Sequence, residues 1–433
     1  MIPNPKIVQS IKKLDYRVTV GDVAAQAGLE LNFAQQGLLA LASEAGGHLQ
    51  VAESGDVVYL FPKNFLSILR NKYWRLRWQK TFAKVWGILF YLIRISFGIV
   101  LVVSILLLAI AIIAIVIAAS QSNNDREGGS SNRRYGGGGF FMPRFWFGDI
   151  FWFFSPRYNR RRRQRRKQTN NYQMNFLESV FSFLFGDGNP NAELEERRWQ
   201  EIGAVVLGQK GAVAGEQIAP YVDNMDQDED YMIPVLSRFN GYPEVSPQGE
   251  IIYYFPELQV TAKDRQPQRI SPGGYLEEKP WRFSQASGNQ ITMAAGLGVL
   301  NIVLAFVLGN MLQDGAIAAE LGGIVAFVES ILYLIFGYGV LYLIVPLIRY
   351  FWIQGRNPKI NQRNQDREQR AIALNQASQS LRQKLTYAKQ FAQQKVIDDR
   401  DLAYTTEDEL IDQNIRNADK IDQDWEKRLE SDS

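Results

Sequence analysis

A chain of 433 residues with a formal net charge of +3 has room for more than one compact unit and no overall charge that names a partner. It contains no cysteine, which excludes disulfides, thiolate nucleophiles, iron–sulfur ligation and cysteine zinc sites. His48 is the single histidine, so neither a His/Cys metal cluster nor a catalytic triad with any redundancy is available.

Residues 1–65 read as a small α+β unit. Ile7, Val8, Ile11 and Leu14 fall on one face of a first helix. A short helix follows Thr19, and a longer one is expected from Asn32 as its N-cap to the Gly46–Gly47 pair. Two strands, over residues 48–52 and 56–61, are joined by a turn at Gly55. Three helices followed by a hairpin resemble a winged helix. His48, at a strand edge after two glycines, reads as a packing or turn residue.

Residues 86–119 form the first membrane-length segment, apolar except for Arg94 and two serines; about 20 such residues cross a bilayer as a helix. Trp74, Trp78, Trp86 and Tyr91 flank it as interfacial anchors. Residues 120–170 are a linker with a Gly-rich start, an aromatic run at Phe140–Phe154 and a basic run. The aromatic run carries only Arg144 and Asp149 as charges and suits an interfacial or re-entrant element. The basic run, Arg157, Arg160, Arg161, Arg162, Arg163, Arg165, Arg166 and Lys167, points to anionic lipid headgroups before nucleic acid, because it adjoins an aromatic membrane segment.

Residues 174–186 form an amphipathic helix with Phe176, Leu177, Val180, Phe181 and Leu184 on one face, ending at Gly186. Residues 193–260 then repeat the first unit. Sliding the sequence by 194 places Gly21 on Gly215, Asp22 on Glu216, Gly47 on Gly241, Gly55 on Gly249 and "YLFP" on "YYFP" without a gap. Such internal similarity marks a duplicated supersecondary unit. The helix that would enter a DNA groove, from Asn32 to Gly46, has no lysine or arginine, and its counterpart offers only Arg238 in an acidic setting. A surface of that sign repels phosphate, so the repeats read as protein-binding modules. The carboxylates of Asp223–Asp230 lack the glycine and terminal glutamate of a calcium loop and read as a helix start.

Two further spans, residues 290–312 and 322–348, form a hairpin whose loop carries Asp314 and Glu320 and no base, as expected of a lumenal turn. Asn301 and Glu329 are polar within these spans, which calls for a partner; Glu329 is expected to face another helix near Asn301. Residues 359–433 read as a polar helical arm, with a last helix capped by Thr406 and Glu409. No phosphate-binding, dinucleotide or nucleophile motif appears, and no cofactor is implied.

The block "FLFGDGNPNAELEERRW", with "QIAPYVDN" and "VIDDRDLAYTTEDEL", resembles a membrane protein family shared by cyanobacteria and chloroplasts, over most of the chain from Met174 onward. That resemblance implies a photosynthetic membrane setting and a part in building photosystem complexes. Some members are classed under iron–sulfur cluster biosynthesis, which a chain without cysteine does not fit.

The expectation is therefore an integral membrane α-helical protein with two soluble α+β winged-helix-like repeats and a C-terminal helical arm. It would be non-enzymatic, with its repeats facing the cytoplasm, and would assemble or maintain photosynthetic complexes, photosystem I first. A membrane-tethered nucleic-acid-binding regulator and a small transporter organised around Glu329 are the alternatives. Placing every basic cluster on one side requires the chain to return through the membrane after the first span, and only Phe140–Phe154 is apolar enough to do so.

Overall fold

A computed structural model describes residues 4–72, 74–122, 174–223, 229–263, 274–313, 316–413 and 415. The linker calls, Phe140–Phe154 and the basic residues Arg157 to Lys167, lie outside these, as do Asp226, Asp228 and Asp314. The chain divides into two compact units, one of residues 1–80, 191–280 and 358–433, the other of 81–190 and 281–357.

The first unit contains two modules. Module one runs α1 (Pro5–Lys13), β1 (Arg17–Thr19), α2 (Val20–Ala27), α3 (Leu31–Ala45), β2 (His48–Ala52), β3 (Val57–Leu60) and α4 (Phe65–Lys72). Asn4 caps α1, accepting from the Lys6 N–H at 2.9 Å. Thr19 and Asp22 form a reciprocal capping box that starts α2. The longer helix starts two residues earlier than expected: Glu30 is its N-cap, without a side-chain cap bond, so Asn32 lies inside the first turn. Gly46 ends it at φ +68, and Gly55 turns the hairpin at φ +86.

Module two runs α7 (Leu194–Gly208), β4 (Ala212–Ala214), α8 (Gly215–Ile218), a 3-10 turn at Ala219–Tyr221, α9 (Ile233–Phe239), β5 (Tyr242–Val245) and β6 (Ile251–Tyr254). Its hairpin matches module one at the expected offset: Leu49 faces Tyr59 as Pro243 faces Tyr253, and Gly249 turns at φ +84. The first half does not. Val18 pairs with Tyr59, but Val213 pairs with Tyr253, and the N-caps are Thr19 and Ala214. The gap-free alignment is thus displaced by one residue there. Asp22 corresponds to Gln217, whose Oε1 accepts the Ala214 N–H at 2.9 Å just as Asp22 accepts that of Thr19. The extra residue of module one lies between α2 and its hairpin, where α3 is long and α9 short.

Both modules share one apolar core, with Ile7, Ile11, Leu38, Leu41 and Phe61 from one and Ile202, Val206, Phe239 and Phe255 from the other. They meet where α2 lies on α7. A Cβ on Gly203 would sit 2.8 Å from the Ala25 Cα, and one on Gly21 would strike the Glu257 carbonyl. Close backbone approach of this kind admits only glycine.

The remaining elements of this unit follow module two: α10 (Pro256–Gln259) and β7 (Val260–Thr261), and after the second unit α14 (Gln379–Phe391), β8 (Lys395–Val396) and β9 (Leu402–Thr405). β9 adds to the edge of module one's sheet, giving the order β1-β3-β2-β9, and β7 pairs in parallel with β8. The C-terminal region is thus not a free helical arm. A last helical stretch begins at Leu410, after Glu409, not at Thr406, whose hydroxyl accepts the Leu49 N–H at 2.9 Å and whose carbonyl contacts the His48 ring at 3.2 Å.

In the second unit, from residue 81 on, α5 (Trp74–Ser122) is the first membrane-length helix, and α6 (Phe176–Phe185) starts at Asn175 with a capping box to Glu178 and ends at Gly186. α11 (Gly288–Met311), α12 (Ala316–Leu321) and α13 (Gly323–Asn375) follow. Among the described residues three helices are long and apolar enough to cross a membrane: Lys84–Ser120, Gly288–Met311 and Gly323–Asn375. The third span does not stop at residue 348. The helix continues through Pro358 to Asn375, because the polarity change there is a change of surface and brings no helix terminator until "NQAS". The hairpin loop contains a short helix, α12, and turns back at Gly322 and Gly323 with positive φ.

Candidate functional site: buried polar clusters

In the membrane-length helices Asn301 is completely buried. Its amide donates to Ser104 Oγ of α5 at 2.6 Å, and a Cβ on Gly339 of α13 would lie 2.6 Å from its Oδ1. Three helices therefore converge on Asn301, with the small Gly339 making room. Glu329 is not part of this contact. It precedes Gly339 on α13 by roughly 15 Å of helix rise, is half-buried and makes no ion pair among the described residues. Its partner is not Asn301, because the antiparallel register brings Gly339 to that level instead.

At the other end of this unit Asp187 gathers several groups. Its carboxylate accepts from Arg94 at 3.1 Å, from Ser182 Oγ at 2.7 Å and from the Gln285 N–H at 2.8 Å. Arg349 donates to the Ser182 and Phe183 carbonyls at the end of α6 and lies over the Phe283 ring. A cation at a helix C-terminus satisfies carbonyls that have no intrahelical partner. Arg94, the lone base in an apolar segment, is thus explained by Asp187.

In the first unit two ionic clusters hold the C-terminal elements. Arg363, Arg367 and Arg370 lie along one face of α13. Arg367, 1% exposed, bonds to Asp223, to Glu278 Oε1 at 2.8 Å and to the Leu276 carbonyl at 2.7 Å. Arg363 grips the same Glu278 through two bonds of 2.8 and 2.6 Å, and Arg198 takes the other oxygen of Asp223. The bonds from Arg363 hold the Glu278 carboxyl below its ordinary range against its burial. Burial pushes Asp223 up, but the bonds from Arg367 and Arg198 outweigh it and leave it lowered. Tyr221 beside them is pushed up to about 12 by burial and the charge of Glu201.

The second cluster centres on Lys384 of α14, whose Nζ meets Glu216 at 3.0 Å and Glu229 at 2.7 Å. Glu229 also accepts from Tyr253 Oη at 2.8 Å. Burial lowers Lys384, and the two carboxylates more than reverse this, so it is raised. Asparagines add a further device along residues 278–281, at 278 and 279 in the first unit and at 281 in the second. Asn191, Asn364 and Asn357 each clamp a backbone N–H and C=O together, at Lys279, Glu278 and Trp281 respectively. Extended backbone outside any sheet is satisfied in this way.

Sequence reasoning takes the bases of 349–370 only as a cluster that orients the chain and gives none of them a carboxylate partner, although the i, i+4, i+7 spacing of Arg363, Arg367 and Arg370 marks a common face. It singled out Arg238 instead. That side chain stacks on Trp199 at 4.1 Å and donates to the Gly28 carbonyl at 2.7 Å, and burial lowers its pKa. Among the described residues no His, Asp and Glu group converges with metal-ligand geometry.

Neither a family model nor a solved structure matches the chain. It is 35% identical over 439 aligned residues to an uncharacterised chloroplastic protein of Arabidopsis thaliana, across 98% of its own length and 82% of that protein's. The chain belongs to that protein's family. The similarity therefore runs through both units and not only from Met174 onward, and the relative's description mentions no iron–sulfur chemistry.

Proposed function

We propose that this chain is a non-enzymatic thylakoid membrane protein that binds and helps assemble or maintain photosynthetic membrane complexes, photosystem I being the first to test. Its two modules are read as duplicated winged helices that bind protein, and its soluble unit as facing the cytoplasm. The observation that carries the reading is the outer face of α3. Its exposed residues are Asn32, Phe33, Gln35, Gln36, Leu39 and Ser43, with Phe33 47% and Leu39 53% exposed and no charge among them. A face that grips phosphate needs cations; two large apolar side chains among amides suit a protein surface.

Other features favour protein over nucleic acid. Arg238 is engaged within the core of the modules, and acids of module two are neutralised by Arg198, Arg367 and Lys384. A transporter is disfavoured because Asn301 is spent on helix packing and Glu329 stands apart from it. The chloroplast relative and the apolar helices support the photosynthetic membrane setting. The cytoplasmic orientation draws on the basic residues around 63–84, 157–167 and 349–370. Within 157–167, Arg157, Arg160, Arg161, Arg162, Arg163, Arg165, Arg166 and Lys167 would contact anionic headgroups.

The test is affinity purification of tagged full-length protein from solubilised thylakoids, beside a Phe33→Asp/Leu39→Asp variant. Photosystem subunits should accompany the parent protein and be lost from the variant, and a strain lacking the protein should accumulate less photosystem I. Unchanged photosystem content, or the same co-purifying proteins with both forms, refutes the proposal.

A further inference from the structure

The apolar run of α13 closes at Ile348, and Tyr350, Phe351 and Trp352 follow it, 45–62% exposed. A Cβ on Gly298 of α11 would strike Tyr342, and one on Gly339 would strike Asn301, which fixes the antiparallel register of the two helices. Gly288, ten residues before Gly298, is therefore level with Trp352, ten after Tyr342. Both helices pass from apolar to polar surroundings at one height, as a membrane interface requires.

Arg356 lies one turn beyond Trp352, and long side chains on a helix point back towards its N-terminus. Its guanidinium accordingly sits over the Trp352 ring, 5.0 Å from the centroid, and 5.6 Å from that of Trp281. The two indoles meet edge to face at 5.0 Å and 81°. Asn357 fixes Trp281 in turn, donating to its carbonyl at 2.9 Å and accepting its N–H at 2.8 Å. From Ile348 to Trp352 the helix rises roughly 6 Å. The headgroup zone extends roughly 5–7 Å beyond the hydrocarbon on each side, so the guanidinium is held at the depth of lipid phosphates.

The chain brings no anion to it. Among the described arginines of this unit, Arg94 is met by Asp187 and Arg349 by the carbonyls that end α6. Arg356 and Arg282 are exposed and make no hydrogen bond or ion pair among the described residues. Stacking occupies the faces of a guanidinium and leaves its N–H edge free, the edge that grips a phosphate through two parallel bonds. Arg282 has no ring stacked on it among the described residues, which makes it the natural control.

We propose that Arg356, held between Trp281 and Trp352, is a binding site for the headgroup phosphate of one anionic phospholipid. A zwitterionic headgroup carries an ammonium of its own that competes with the guanidinium, so an anionic one is preferred. A run of adjacent exposed bases attracts anionic lipid as a field that salt screens; a single preoriented guanidinium holds one molecule by directed bonds. The proposal rests on the reading of α11 and α13 as spans and is independent of which complex the protein serves.

The test titrates full-length protein, in neutral detergent and concentrated ammonium acetate, with phosphatidylglycerol, phosphatidylcholine or inorganic phosphate. Bound molecules are counted by native mass spectrometry. The parent should hold one phosphatidylglycerol in preference to phosphatidylcholine. Arg356→Gln should weaken that lipid about tenfold or more, the worth of a hydrogen bond to a charged group. Arg356→Lys should recover only part of the loss, because an ammonium keeps the charge without the planar fork, and Arg282→Gln should leave binding unchanged. Equal losses in Arg356→Gln and Arg282→Gln would show a general charge effect and overturn the site. Unchanged binding in Arg356→Gln, or equal binding of the two lipids, overturns it too. Release of the lipid by millimolar inorganic phosphate assigns the guanidinium to a free anion and sinks the lipid. A parent that carbonate washing strips from vesicles refutes the spans and the site together, whereas a parent that stays with them and shows no Arg356-dependent lipid refutes the site alone.

Discussion

Arg367→Met is the most direct probe of how the C-terminal region is held. Arg367 is almost fully buried between two carboxylates, and Glu278 has a side chain only 7% exposed. Breaking one arm of a buried ion pair costs about 3–5 kcal/mol, because a buried charge is left without compensation. Glu278 keeps Arg363 and Asp223 keeps Arg198. The loss therefore belongs at the lower end, about 3 kcal/mol. For a unit of 150–250 residues each kcal/mol shifts the unfolding midpoint by about 2–4 °C, so a drop of roughly 6–12 °C is expected. Thermal unfolding of the full-length protein in detergent, followed by circular dichroism, measures it. Arg367→Met/Glu278→Gln should lose less than the sum of the single changes, by about 1 kcal/mol or more, since the residues are in contact. A midpoint for Arg367→Met within 2 °C of the parent would refute the reasoning, as would simple additivity.

Acid should act on the same cluster. Glu278 and Asp223 are both lowered in the folded state, so their stabilisation is complete above their ordinary pKa and is lost as pH falls below about 4. The Arg367→Met deficit should therefore shrink in that window in unfolding measured against pH. Lys384 is raised, so its contribution is present below its ordinary 10.5 and lost above it. Lys384→Met should free α14, with protease cutting near the Gln376–Ser378 break at neutral pH in the variant and only in strong alkali in the parent. Gly203→Val should separate the two modules, since even a Cβ would lie 2.8 Å from the Ala25 Cα; a loss of more than about 3 kcal/mol is expected in denaturant unfolding. Asn301→Leu should cost about 0.6–1.7 kcal/mol in detergent unfolding, the range for interhelical hydrogen bonds in membranes, and Ser104→Ala a similar amount.

Much of this architecture is legible in the sequence because local chemistry fixes it. Thr19 and Asp22 announce a helix start, Gly46 a helix end, and Gly55 and Gly249 the hairpin turns. The spans follow from hydropathy alone. What sequence reasoning could not supply is pairing between distant segments. The surplus of acids in module two read as a repelling surface, yet Asp223, Glu216 and Glu229 meet bases that lie well over a hundred residues further on. The matching glycines Gly21 and Gly215 invited a gap-free alignment, but one serves the approach of α2 to Glu257 and the other begins a different helix beside Glu229 and Tyr231. Hydropathy also placed an end on α13 where only its surface changes, and Leu402–Thr405, too short and polar to declare itself, is a strand because β2 offers an edge.

That edge bears on how a partner is to be met. In module one Leu49 presents both backbone groups outward, its N–H to Thr406 Oγ1 and its C=O to the Thr406 N–H, each at 2.9 Å. In module two the residue at the same ladder position is Pro243, which has no N–H to offer. Tyr387 further covers the outward carbonyl of Val245. One edge is filled by the chain's own β9 and the other is blunted by proline, two established ways to prevent strand addition. A partner that recognised these modules by adding a strand would have to displace β9 or forgo a ladder bond at Pro243. Side-chain contact with a helix face carries no such cost, and the proposed protein contact is therefore to be tested at the exposed residues of α3, where Phe33 and Leu39 project.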